Sequence, residues 1–131
     1  MATCLNSINN NPQYIGLSSG VTNRVTVNAS TNALFLLENE LDQSVFFNIK
    51  LVGNYSNIAI TMTIYNATTL AVFGTLNINQ QNVSSSFSIS AGRYIICFRP
   101  AFGSFVLDIT PTFISYNNVA SFIARNYIGY Y

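Results

Sequence analysis

The feature of this sequence that most limits its fold is a two-residue alternation of apolar and polar side chains between Val21 and Thr112. The stretch NIAITMTIY has isoleucine or methionine at every second position, and SVFFNIKLV and SFVLDIT repeat the pattern. Successive side chains of a β-strand point to opposite faces, so such runs indicate strands that are buried on one side. The sequence therefore predicts antiparallel strands that cover a core.

Turn-forming residues separate eight such runs, and we predict a strand for each of them. Segments such as VGNYSN, NINQQN and SAGR contain the asparagine, glycine and serine that favour turns. Short strands at this spacing, with no helix between them, are typical of a β-sandwich or barrel. We therefore predict an all-β, antiparallel, jelly-roll-like β-sandwich with strands at 21–27, 33–37, 44–52, 58–65, 70–76, 84–89, 93–99 and 104–110.

The length of 131 residues suits a single domain with one core. We divide the chain into an N-terminal arm at 1–20, a β-sandwich at 21–113 and a C-terminal docking tail at 114–131. The alternation also assigns side chains to the space between the sheets. The predicted core residues are Phe47, Ile49, Ile60, Met62, Ile64, Ile96, Phe98, Phe105 and Leu107.

In the C-terminal segment NNVASFIARNYIGYY the apolar residues recur every three to four positions instead of every two. This spacing suits one face of a short helix after an asparagine cap. A helix of about ten residues is marginal by itself, so this face must pack on another surface. The sequence leaves open whether that surface is its own sandwich or a neighbouring subunit. The predicted interface residues are Phe122, Ile123, Tyr127, Tyr130 and Tyr131.

The composition argues against two classes of partner. Only 7% of the residues are charged and the net charge is +1, so the chain lacks the basic patch that nucleic-acid binding requires. No apolar run approaches the roughly 18 to 20 residues of a membrane span.

The N-terminus also lacks the basic and apolar regions of a secretory signal, so we expect synthesis in a cytoplasm without a signal peptide.

Three of the four carboxylates occur at alternate positions in the segment LLENELDQ. In an extended chain, Glu38, Glu40 and Asp42 would point to one face, and Asp108 would be a fourth acidic group for a calcium site. The alternative is that these acids lie in water at a sheet edge, where charges discourage pairing with other strands. We favour this second interpretation and predict no metal and no cofactor.

Catalytic chemistry has little support in the sequence. The chain has no histidine, which is the commonest general base. Acids on one segment point the same way and do not flank a sugar from both sides, as glycoside hydrolysis requires. We therefore predict that the protein is not an enzyme.

The two cysteines, Cys4 and Cys97, are far apart in the sequence. Without histidine they cannot complete an ordinary structural zinc site. A disulfide would require an oxidising setting or a thermophilic source, and the reducing default favours free thiols. We interpret Cys97 as part of an ordinary buried strand, and the sequence leaves the pairing open.

The segment FSISAGRYIICFRPAFGSFVLDITP, with AITMTIYNATTLAVFG before it, resembles the bacterial pre-peptidase C-terminal domain over about residues 44–113. The matching features are the alternation, the AGRY turn, a glycine-containing loop and a closing strand. The resemblance implies a β-sandwich. Acids near the strand at 58–65 often contribute to calcium sites in that family, but here residues 57–60 contain no acid. The layout as a whole is also similar to that of small structural proteins of bacterial or archaeal virions.

These observations predict a non-enzymatic structural protein of a virion, such as a capsid-associated cement, decoration or turret subunit. Its expected partners are further copies of itself and other capsid subunits, and its expected location is the virion. The alternative is a glycan-binding or adhesion module, for example in a tail fibre. In that case surface aromatic side chains would stack on sugar rings, and the candidates are Tyr14, Tyr55, Tyr65 and Tyr94.

Overall fold

In a computed structural model, which describes residues 3–10 and 13–115, the chain forms two β-sheets packed face to face. One short helix precedes the strands. The elements are α1 at Cys4–Asn9, β1 at Ile15–Gly16, β2 at Asn23–Val27, β3 at Ala33–Asn39, β4 at Gln43–Leu51, β5 at Ile60–Asn66, β6 at Val72–Ile78, β7 at Asn82–Ile89, β8 at Gly92–Pro100 and β9 at Phe105–Ser115.

The strand order is β1-β3-β8-β5-β6 in the five-stranded sheet and β2-β9-β4-β7 in the four-stranded sheet. All strand pairs are antiparallel except β1 and β3, which are parallel. Strands β5 and β6 form a hairpin within one sheet, whereas the other connections cross between the sheets. The predicted antiparallel β-sandwich is confirmed.

Each predicted strand is present, with ends that move by a few residues, and the largest difference is in β9. The predicted strand ends at Thr110. The observed strand continues through Pro111 to Ser115, since β4 pairs with it from Leu107 to Ser115. Strand β2 pairs with β9 only as far as Ile109, so Pro111 lies where β9 has one strand neighbour.

The space between the sheets is filled by apolar side chains from both of them. All nine predicted core residues are buried, with at most 2% exposure. Among them, Phe98 of β8 contacts Phe35 of β3 edge to face, with ring centroids 5.7 Å apart. Such burial makes the largest favourable contribution to folding. The burial of all nine residues confirms the core that the alternation predicted.

A second apolar cluster lies on the outer face of the five-stranded sheet. The side chains of Leu34, Tyr65 and Ile95 point away from the main core and are 5–8% exposed. Helix α1 covers them with Cys4 and Ile8, which are one helical turn apart and therefore share a face. The N-terminal segment that the sequence suggested as an arm thus contains a helix packed on the sandwich, and β1 adds to the sheet edge.

A disulfide joins Cys4 of α1 to Cys97 of β8, with the Cα atoms 6.1 Å apart. The expectation of free thiols is therefore wrong for this structure. Cys97 points to the outer face of its sheet, where α1 packs, and a separation of 93 residues hid this proximity in the sequence. The prediction that Cys97 is buried holds, since its exposure is 0%.

The predicted interface residues of the C-terminal segment, Phe122, Ile123, Tyr127, Tyr130 and Tyr131, lie outside the described residues. Residues 114 and 115 of the predicted docking tail belong to β9. Within residues 3–10 and 13–115, no helix has the length and apolar character needed to cross a membrane.

We predict that replacing both cysteines with serine lowers the free energy of unfolding by about 3–5 kcal/mol, because the bridge closes a long loop and restricts the unfolded chain. Urea denaturation of the oxidised protein, the reduced protein and the double variant measures this. The reduced wild type is the matched control and should unfold like the variant. Equal stability of the oxidised and reduced proteins would contradict a structural role for the bridge.

Candidate functional site

The outer faces of the two sheets differ in what covers them. Helix α1 packs on the five-stranded sheet, whereas the outward side chains of the four-stranded sheet are exposed or half-buried. We call this second surface the open face. It consists of the outward residues of β2, β9, β4 and β7 and of the residue before β2, which are Thr22, Arg24, Thr26, Ser44, Phe46, Asn48, Lys50, Asn82, Ser84, Ser86, Ser88, Val106, Asp108, Thr110, Thr112 and Ile114.

The open face contains a depression of about 760 Å³ with an aromatic ring in its lining. Phe46 of β4 is 43% exposed, and the strand register places Ser86 on one side of it and Thr112 on the other. Its neighbours two positions away on β4 are Ser44 and Asn48. An apolar ring among hydroxyl and amide groups provides both contact area and hydrogen-bonding partners.

The charged groups of the open face lie together at one end of it. Arg24 donates two hydrogen bonds to Asp108, from Nε to Oδ1 over 2.8 Å and from Nη2 to Oδ2 over 3.0 Å. Lys50 lies opposite Asp108 on the other neighbouring strand. The hydrogen bonds from Arg24 are the main reason that the pKa of Asp108 lies below its usual value, and the charges of Arg24 and Lys50 lower it further.

The three acids of LLENELDQ do not converge on one point in the structure. Strand β3 ends at Asn39, so the alternation that would align Glu38 with Glu40 and Asp42 stops there. Glu38 is exposed with an oxygen 3.9 Å from Arg93, and Glu40 is exposed.

Asp42 accepts a hydrogen bond of 2.8 Å from the backbone N–H of Ala91. It thereby ties the β3–β4 turn to the AGRY turn, where Gly92 has φ +143°, a value that residues with a side chain rarely adopt. Asp108, the suggested fourth acid, is paired with Arg24 on the other sheet. Within the described part of the chain, no three acidic, cysteine or histidine side chains form a possible metal site.

None of the four tyrosines suggested for sugar stacking is fully exposed. Tyr65 and Tyr94 are buried, at 8% and 5% exposure, and Tyr14 and Tyr55 are half-buried. The Tyr55 hydroxyl accepts a hydrogen bond of 3.1 Å from the N–H of Val106, and its ring packs on Phe105. The interpretation as an exposed stacking surface is therefore wrong for Tyr65 and Tyr94, because other parts of the chain cover them.

The sequence offered a signal for Phe46 that was not used for a site. In SVFFNIKLV the alternation assigns Phe47 to the core and therefore assigns Phe46 to the opposite face, beside Asn48 and Lys50. A large aromatic side chain on a solvent face is a candidate contact residue, because aromatic residues are enriched in protein interfaces.

Comparison with known proteins supports the fold. No protein-family model matches the chain, and no curated protein matches it. Among solved structures, it is similar to the pre-peptidase C-terminal domain of a collagenase from Bacillus anthracis, with a TM-score of 0.63 at 9% sequence identity. The match covers 76% of this chain and 95% of that domain. At this identity the likeness shows the fold alone, and it confirms the structural resemblance predicted from the AGRY turn and its flanking strands.

We predict that stability changes little between pH 7 and pH 4 and decreases below that range. Since the pKa of Asp108 is lower in the folded protein than its usual 3.8, its ionised form favours folding above that value. This contribution is lost as the pH falls through the folded pKa. Chemical denaturation at a series of pH values from 7 to 2 measures the free energy of unfolding as a function of pH.

Asp108→Asn is the matched variant for the pH profile, and it should flatten the decrease below pH 4. Glu40→Gln is the control, because Glu40 is exposed and has no ion-pair or hydrogen-bond partner among the described residues. A large loss of stability between pH 7 and pH 5 would contradict the prediction.

Proposed function

We propose that this chain is a non-enzymatic structural protein that acts by contact with other proteins, and that the open face is its contact surface. The observation that carries the proposal is the arrangement of that face. Its three charged residues lie at one end, whereas Phe46 and Ile114 are exposed near the other, among neutral hydroxyl groups. The centres of protein interfaces are depleted in charge and enriched in aromatic residues, so this arrangement suits protein contact.

The edge of the same sheet supports self-association. Strand β7 is a terminal strand of the four-stranded sheet, and its sequence NVSSSFSI has no charged residue and no proline. Soluble proteins usually protect exposed sheet edges with charged residues or proline, since an unprotected edge strand pairs readily with another strand. A second copy of the chain is therefore a suitable partner for β7, and a homo-oligomer is part of the proposal.

The setting that we propose is a virion, in which the chain is a capsid-associated accessory subunit such as a cement, decoration or turret protein. It contacts other copies of itself and further capsid subunits there. The disulfide supports this setting, because disulfides persist on virion and cell surfaces and in the proteins of hyperthermophiles. A chain with no histidine and with Asp108 held in an ion pair also has few groups for catalysis.

Mass spectrometry of purified virus particles tests the setting, and a charge placed on the open face tests the surface. We expect the wild-type chain in many copies per particle and a loss of assembly in Phe46→Asp, because a carboxylate at the interface must lose its water. Phe102→Asp is the matched control, since Phe102 is 47% exposed in the loop between β8 and β9 and outside the open face. A chain found only in cell lysate would contradict the virion role.

Glycan binding is the second candidate, and the position of Phe46 favours it specifically. An exposed ring flanked by Ser86, Thr112 and Asn48 can stack on the apolar face of a sugar while these groups bind its hydroxyls. A glycan array should then give defined ligands, with affinity about tenfold or more lower in Phe46→Ala. Phe102→Ala should bind normally. A blank array with a fully folded wild type would contradict this candidate.

A further inference from the structure

A second depression, of about 490 Å³, lies on the outer face of the five-stranded sheet beside helix α1. The N-terminal residues Thr3–Leu5 form one wall, and strands β5 and β8 form the floor. The disulfide between Cys4 and Cys97 holds that wall against the sheet. The depression is therefore a fixed feature of the oxidised fold and is separate from the open face.

The charged group of this depression is Arg99 of β8. Its side chain is half-buried, and its Nε is fully buried and has no hydrogen-bond partner among residues 3–10 and 13–115. Within the described residues, Arg24 and Arg93 have carboxylate oxygens within 4 Å, but Arg99 has none. A guanidinium that lines a depression without a carboxylate partner is a suitable donor for a bound carboxylate.

The remaining lining residues define the kind of acceptor that fits. Thr61 lies opposite Arg99 in the strand register, and Thr63 follows on the same face of β5. Leu5, Pro100 and Ala101 add apolar walls. A guanidinium and two threonines match an oxyanion, whereas the apolar walls match a hydrocarbon chain that carries it.

We propose that this depression binds a carboxylate on a short aliphatic stem, such as the side chain of a glutamate or a small carboxylic acid. The two carboxylate oxygens accept hydrogen bonds from the terminal nitrogens of Arg99, and the stem lies against Leu5 and Ala101. A phosphate would match the guanidinium equally well but would not use the apolar walls. The site lies on the other sheet, so it does not depend on the proposed role of the open face.

The test is a titration of the ¹⁵N-labelled full-length oxidised protein with sodium butyrate, followed by NMR at constant ionic strength. We expect saturable shifts of the Arg99 Nε–H signal and of the Thr61 and Thr63 amides. Arg99→Gln should weaken binding about tenfold or more, because one charge-assisted pair is lost. Arg93→Gln removes the same charge from an exposed position on the same strand and should leave binding unchanged.

Two further comparisons make the result specific. Arg99→Lys keeps the charge without the planar pair of donors and should also bind more weakly than the wild type. Sodium phosphate in place of butyrate should give weaker binding. The proposal is wrong if butyrate causes no saturable shift, if Arg99→Gln binds as the wild type does while its spectrum remains folded, or if phosphate binds as tightly as butyrate.

Discussion

The structure depends on the need to cover both faces of strand β8. Its residues from Tyr94 to Phe98 are all buried, although successive side chains point in opposite directions. The four-stranded sheet covers Tyr94, Ile96 and Phe98, but it cannot reach the side chains on the other face. Helix α1 covers that face, and the disulfide at Cys97 holds the helix in place. The N-terminal segment is therefore part of the fold.

This requirement leaves the two sheets with different roles. The part of the five-stranded sheet around β8 is buried between two apolar layers, and its outer surface next to α1 keeps the depression around Arg99. The four-stranded sheet has one apolar face and one open face, where Phe46 is surrounded by hydroxyl groups and the charges are grouped around Asp108. Because the outward side chains of the four-stranded sheet are exposed or half-buried, we propose that contact with partners occurs on the open face. One fold can carry many functions, so the proposed contact surface depends on these residues and not on the sandwich itself.

The sequence predicted the strands and the main core because both depend on a local period of two residues. It also contained a signal for the second layer, since the run YIICF lacks alternation and such runs mark strands buried on both faces. The partner of Cys97 and the pairing of Arg24 with Asp108 were not predictable, because each joins residues more than 80 positions apart. The tyrosine hypothesis failed for a related reason: the alternation gave Tyr65 an outward direction, and only the packing of the N-terminal segment shows that this face is covered.

Hydroxyl-radical footprinting of the oxidised protein distinguishes the covered face of the five-stranded sheet from the open face, since it measures the solvent access of individual side chains on both. We expect rapid labelling of Phe46 and strong protection of Tyr65 and Leu34. In the variant with both cysteines replaced by serine, labelling of Tyr65 and Leu34 should increase while that of Phe46 stays unchanged. Rapid labelling of Tyr65 in the oxidised protein would show that helix α1 does not cover its sheet, and protection of Phe46 equal to that of Tyr65 would show that the open face is covered.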